Sequence, residues 1–399
     1  MLRSFEMLAV LTAATTVCVG AAPAQTASPV RRDGGHWVQE QTGSIAATGA
    51  LRVSVIGEVV IRGEETDEIR YRVEARVKAE DAAEAERIFR DASVTASARN
   101  GATTVSLEDP RCGRCSYQAR VELVVPRSTR EAVVDTSGGA VEASNLEGRV
   151  NADSAGGAIR MTSIGGDVRA STAGGSIDLN GIGGEVRCET AGGSIEVEQA
   201  RGDAILNTSG GGIRAAGIGG DLRAETSGGG IEIAEVTGRI FAGTSGGSIR
   251  IAGAGGQVSA DTAGGSIEIA EAPAGVDVET AGGQIRLVDV AGRVYAANAA
   301  GNIQATLVGG RPLQDSLLET NAGVIVVYLP DDLAVTVEAV VDFGRGLNRI
   351  ESEFSDIEVR RVGDDFGPGG VTATGSLNGG GPVLRIRNTS GRVQIRRKP

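Results

Sequence analysis

A Gly-Gly pair begins at residues 138, 156, 174, 192, 210, 228, 246, 264 and 282, every 18 residues and without one slip. Spacing this regular demands that each unit fold as its neighbour folds, which is the mark of a repeat architecture rather than of a domain with one central core. A second glycine keeps the same period at 148, 166, 184, 202, 220, 238, 256, 292 and 310, with Ala274 as the exception. Each unit therefore turns twice. Two such corners in 18 residues exclude a helix, because each glycine costs a helix interior about 1 kcal/mol.

Between the corners, apolar residues recur in columns. One reads Val141, Ile159, Ile177, Ile195, Ile213, Ile231, Ile249, Ile267, Ile285 and Ile303, and the residue two places on is apolar as well, from Ala143 and Met161 to Leu287 and Ala305. The other arm repeats the pattern from Val150, Val168 and Val186 to Val294, followed two residues later by Ala152, Ala170, Cys188, Leu206 and their equivalents. Alternation with a period of two is that of a strand with one buried face. Two strands of roughly 16 Å and two glycine corners use up a repeat and return the chain one strand spacing higher. About ten coils would make a rod roughly 48 Å long. The expected fold is all-β, a flattened parallel β-solenoid with 18-residue coils. Only 3% of residues are aromatic and 61 are glycine, which suits a thin aliphatic interior. An outward column, Glu142, Arg160, Asp178, Glu196, Arg214, Glu232, Arg250, Glu268 and Arg286, mostly alternates in sign, with Asp178 beside Glu196 as the clash.

The flanks differ in texture. Residues 37–132 show alternating segments at Leu51–Ile61, Ile69–Val77, Ser93–Glu108 and Ser116–Val125 and a helical stretch at Asp81–Arg90, read as a small α+β cap over the first coil's open edge. After residue 316 the period is lost while strands persist at Gly323–Leu329, Ala334–Val341 and Val383–Ile395, and Gly363–Gly370 reads as a flexible loop. The expected organisation is a signal peptide over 1–24, a linker over 25–36, the cap over 37–132, the repeats over 133–316, and a C-terminal β region over 317–399 that continues and caps the solenoid.

Arg3, the apolar run Met7–Val19 and Ala22-Pro23-Ala24 have the order of a secretory signal. The apolar run is too short to span a bilayer, so export to the periplasm or cell surface is expected, with a lipidated Cys18 as the rival outcome. A net charge of -12 argues against nucleic acid as a partner. In an oxidising compartment Cys112 and Cys115 are candidates for a disulfide across a strand connection. One histidine and no second cysteine pair leave no zinc set, and Gly-Gly-x-Ile lacks the aspartate of a calcium β-roll. No cofactor is expected. Cys188, in the inward column, reads as a core thiol.

The repeated Thr-Ser-Gly-Gly-x-Ile and Thr-Ala-Gly-Gly-x-Ile units, the strand Val324–Pro330 and the closing Asn388-Thr389-Ser390-Gly391-Arg392-Val393-Gln394-Ile395 resemble a bacterial family named "putative adhesin". These are envelope proteins built on a glycine-rich β-solenoid, and the likeness covers residues 40 to 397. The resemblance implies an exported, non-catalytic role in adhesion or envelope organisation. It carries over no catalytic residue.

Two sets of outward residues form the candidate ligand face. Asp167, Glu185, Asp203 and Asp221 stack on four successive coils and repel. A cation or cationic ligand would relieve them; so would Arg169, Arg187 and Arg223 two residues further on, which is the preferred reading. In the arginine column, Ile205, Phe241, Tyr295 and Leu313 take outward places, where an aromatic ring can stack on a sugar or anchor a partner, or pack against the terminal regions. The threonines from Thr172 to Thr280 share the inward side and should satisfy corner backbone groups. The leading functional expectation is a non-enzymatic rod that binds an envelope glycan or protein. The alternatives are a polysaccharide-acting parallel β-helix enzyme, which would need a cleft gathering acids, and a self-assembling structural element.

Overall fold

The computed structural model describes residues 24–110, 116–342, 349–362 and 369–399. The expected signal peptide apart from Ala24, Cys18, the Cys112–Cys115 pair and most of the loop at 363–370 lie outside them. The chain is 62% strand and 3% helix, and its centre is a parallel β-solenoid of about 11 turns of roughly 18 residues. Each coil gives one strand to each of two sheets. Ile213–Ile218, for example, pairs in parallel with Ile195–Ala200 on one side and Ile231–Val236 on the other. On the second sheet Leu222–Thr226 lies between Ala204–Thr208 and Ile240–Thr244.

The two strands of a coil are not equivalent. Second-sheet strands such as Val186–Thr190 alternate strictly between buried and open positions. Those of the first sheet carry two outward residues in succession before a last buried one, as in Ile195–Ala200. The cause is a left-handed residue at the fifth place of each first-sheet strand: Asn145, Ser163, Gly181, Gln199, Gly217, Glu235, Gly253, Glu271 and Asp289, with φ between 54° and 71°. The kink lets Leu146, Ile164, Ile218 and Val236 turn inward and close the core at that corner. One apolar cluster runs unbroken from Leu51 to Ile395, made almost wholly of Val, Ile, Leu and Ala.

Threonine closes the opposite corner. Thr208 Oγ1 donates to the Gly193 carbonyl at 2.8 Å and accepts from Gly211 N at 3.3 Å, and the same pair of bonds recurs at Thr172, Thr190, Thr226, Thr244, Thr262 and Thr280. Buried corner groups are thereby paired, as the inward placing of the column predicts.

The ends depart from the sequence reading. Residues 25–36 are not a free linker: Ala24–Ala27 and Arg31–Asp33 pair antiparallel with His36–Ala46. The region before the repeats is also no separate layer over them. Ala50–Val55 and Glu58–Glu64 form a coil of the solenoid itself, paired in parallel with Glu131–Thr136 and Val141–Leu146. Ala102–Leu107 and Tyr117–Pro126 stack as a further coil beyond it. Antiparallel strands finish both sheets: Val94–Arg99 closes the second, and in the first Glu68–Val77 lies between Tyr117–Pro126 and His36–Ala46, which carries Ala24–Ala27 and Arg31–Asp33 at the edge. The helix Ala82–Asp91, capped by Asp81 accepting from Glu84 N, buries Ala85, Ile88 and Phe89 beside Val77.

At the other end Val383–Asn388 and Arg392–Arg397 make one coil. It is inserted between the coil of Ser316–Thr320 and Val324–Leu329 and that of Val335–Val341 and Ile350–Ser352, parallel to both. The last strands of the chain are thus interior strands of the sheets. Gly370–Leu377 and Ile357–Val362 finish the second sheet antiparallel, and the first ends on a strand of three residues, short enough to offer little edge.

Candidate functional site

The outer face of the second sheet carries two columns of side chains per coil. The first contains Arg187, Ile205, Arg223, Phe241, Ser259, Asp277 and Tyr295; the second, two residues on, contains Glu189, Asn207, Glu225, Gly243, Asp261, Glu279 and Ala297. Tyr295 is followed by Leu317, 22 residues later, because four extra residues enter the corner before Ser316–Thr320. The place assigned to Leu313 by the 18-residue period therefore belongs to Leu317. Leu313 itself is buried, bridged to Gly292.

Phe241 and Tyr295, three coils apart, stand at the two ends of a shallow trough of about 780 Å³. Between them the floor drops at Gly243 and Ala297, and Asp261 and Glu279 stand side by side on adjacent strands. Both rings are half-buried; Tyr295 lies beside Leu317 at the start of the C-terminal region, whereas Phe241 stands between Arg223 and Ser259 in the middle of the rod. The Arg223 guanidinium lies 4.2 Å from the Phe241 ring centre while donating to Glu225 at 2.6 Å, and Arg293 lies 5.6 Å from the Tyr295 ring. Among the described residues no cationic side chain comes within ion-pair distance of Asp261, Glu279 or Glu319. Partial burial, then the charges of Glu279 and Asp277, raise the Asp261 carboxyl above its usual range. Burial likewise raises the Tyr295 phenol, reinforced by the nearby carboxylates of Glu279, Asp277 and Glu319. The trough is a concave, electronegative strip between two aromatic faces. It can stack a flat or ring-shaped group and accept hydrogen bonds from hydroxyl or ammonium groups.

The second set of expected ligand residues does something else. Asp167, Asp203 and Asp221 precede their strands, and their Oδ1 atoms accept from the backbone N–H of Glu185, Asp221 and Arg239 in the next coil, at 2.8–2.9 Å. Short side chains in the corner thus cap the neighbouring coil. Glu185, one methylene longer, makes no such bond among the described residues. Two of the three arginines expected to neutralise this column pair elsewhere: Arg187 with Glu189 and Arg223 with Glu225. Arg239 pairs with Asp221 instead, and its hydrogen bonds hold that carboxyl below its usual range. Of the six residues singled out from the sequence, only Phe241 and Tyr295 share the trough. Asp261 and Glu279 were missed, although both stand in the column two places from the aromatics. Among the described residues no three His, Cys, Asp or Glu side chains converge to hold a metal ion.

No family model matches the chain, and no curated protein matches it. The chain is similar to solved structures described as putative adhesins. One, from Bacteroides fragilis, has 13% identity and a TM-score of 0.29 over 67% of this chain and 97% of its own. One from Parabacteroides merdae has 10% identity and a TM-score of 0.25 over 73% and 96%. A structure described as a putative cell adhesion protein, from Clostridium sporogenes, has 7% identity and a TM-score of 0.19 over 94% and 100%.

The remaining marked residue is structural. Cys188 is fully buried in the Ala-rich inward column, and burial pushes its thiol pKa far up, which leaves no thiolate to react. No helix of the described residues is long and apolar enough to cross a membrane.

Proposed function

We propose that this chain is an exported, non-catalytic, adhesin-like rod of the bacterial cell envelope. In this reading it binds a glycan-bearing component through the trough between Phe241 and Tyr295. The observation that carries the reading is the trough itself. In a chain with few aromatics, two emerge on one face in a single concavity, and Asp261 and Glu279 between them have no ionic partner among the described residues. Rings that stack on a sugar face and carboxylates that accept from its hydroxyls are the groups a saccharide site needs. The signal-like first 24 residues support export. Support for a non-catalytic role comes from the trough's form: its acids lie along a shallow open strip rather than across a cleft that excludes water.

The test is a glycan array and envelope-fraction pull-down with the purified chain, repeated with Phe241→Ala and Tyr295→Ala. Each truncation is expected to weaken binding about tenfold, the worth of one aromatic stack. Binding that survives both substitutions would move the site off the trough. Release of reducing ends from an envelope polysaccharide would make the protein an enzyme.

A further inference from the structure

The outer face of the first sheet carries a pattern the solenoid does not require. From Glu196 to Arg286 its exposed column alternates strictly, Glu196, Arg214, Glu232, Arg250, Glu268, Arg286, on six adjacent strands. Over the first five of these coils the left-handed column alternates in step, with Gly217 and Gly253 on arginine coils and Gln199, Glu235 and Glu271 on glutamate coils; the sixth, the Arg286 coil, carries Asp289. The column between them is flat over the four middle coils, with Ala216, Ala234, Ala252 and Ala270, and is flanked by Glu198 and Val288. Beside the charged column runs a second shallow trough of about 610 Å³, bounded by Glu196 at one end and Glu268 at the other.

We infer that this face joins two copies of the chain, packed antiparallel about a two-fold axis that runs along the strands between the Glu232 and Arg250 coils. Such an axis reverses the order of the coils and keeps each residue's place along its strand, so every column meets itself backwards. Glu196 then faces Arg286 of the second copy, Arg214 faces Glu268, and Glu232 faces Arg250. With their symmetry mates these are six opposite-charge contacts and no like ones. Glu235 falls opposite Gly253, and Glu271 opposite Gly217, so a long side chain meets an empty place each time. The four alanines oppose one another and hold neither face away, while at the two ends of the patch Glu198 falls opposite Val288 and Gln199 opposite Asp289.

Other arrangements lose this match. Moving the axis one coil towards the N-terminus sets Asp178 against Glu268 and Arg160 against Arg286. A parallel pair about the rod axis mirrors the strand and brings Glu232 towards Glu235 and Glu268 towards Glu271. The ladder within one chain does not exhaust these groups. Arg214 bonds Glu232 at 2.9 Å and Arg250 bonds Glu268 at 3.2 Å, yet the arginine side chains are 59% and 67% exposed, and a guanidinium has five donors. Six coils of one strand each offer on the order of 400 Å² per copy, below a standard interface. The dimer is therefore weak, with a dissociation constant of high-micromolar order, and its charge contacts make it sensitive to salt.

Sedimentation equilibrium and small-angle scattering of the full mature chain test this. The expected result at about 20 mM salt is a concentration-dependent dimer of doubled cross-section and almost unchanged length, weakened more than tenfold at about 500 mM. Arg214→Glu/Arg250→Glu and Glu232→Arg/Glu268→Arg should each be monomeric with unchanged far-ultraviolet dichroism, and an equimolar mixture of the two should dimerise. A wild-type chain that stays monomeric at low salt up to about 1 mM, a dimer that is doubled in length, or charge variants that dimerise like wild type would overturn the proposal. The glycan trough lies on the opposite sheet, so either reading can fail without the other.

Discussion

Within each Gly-Gly corner the two glycines meet different constraints. At the second, exemplified by Gly157, Gly193, Gly211 and Gly265, an added Cβ would fall onto the carbonyl of the corresponding glycine one coil below. At the first, Gly156 and Gly246 have room, and a Cβ at Gly210 would meet only ordinary contacts, the nearest 3.4 Å away. Neither has the positive φ that favours glycine, so the requirement at the second place is the close approach of stacked backbones rather than a special turn. Gly211→Ala should therefore cost about 3 kcal/mol or more, because stacked backbone cannot move aside without breaking neighbouring bonds. Gly210→Ala should change stability by less than about 1 kcal/mol. Urea melts of the two variants check the contrast. Equal losses would mean that the corner itself, and not the stacking distance, needs glycine.

At the scale of elements, the inserted C-terminal coil is the feature with most consequence. Leu384, Ile386, Val393 and Ile395 are completely buried, and the tail is latched by Lys398 to Asp289 at 2.6 Å, by Arg397 to Asp331 and by Arg396 to Glu351. A terminal strand ordinarily frays; this one has a hydrogen-bonded neighbour on each side. Hydrogen exchange should show the amides of Leu384–Ile386 and Val393–Ile395 protected as strongly as those of Ile231–Ile233 in the middle of the rod. Ile386→Ala should cost about 2–5 kcal/mol, as for a large side chain lost from a closed core. Exchange as fast as that of a free tail would refute the insertion.

For the whole molecule, stability is close to a sum of coils and their interfaces, since each coil touches mainly the ones above and below. Deleting residues 159–176, one complete coil, should leave a cooperative fold shortened by about 4.8 Å. Deleting nine residues should not, because it would join one sheet's strand to the other's corner and set both alternations out of phase. Scattering and thermal melts distinguish the outcomes.

The 18-residue period, the inward columns from Val141 to Ile303 and the threonine corners were legible because each is a local rule repeated many times, and repetition averages out single exceptions such as Ala274. The outward-facing Phe241 and Tyr295 were legible for the same reason: alternation assigns a face to every residue of a strand. Where the period broke, reading failed. Four extra residues before Ser316 moved Leu317 into the column expected for Leu313. Asp167, Asp203 and Asp221 were seen as a row of repelling charges, whereas in three dimensions each reaches a backbone N–H one coil away. The C-terminal region was expected to continue the solenoid, but only the tertiary structure decided that residues 383–397 are inserted between two earlier coils and that residues 50–64 form a coil of the rod, because their partners are distant in sequence. A repeat carries its own register along the chain; a single strand acquires one only from the neighbours against which it is finally placed.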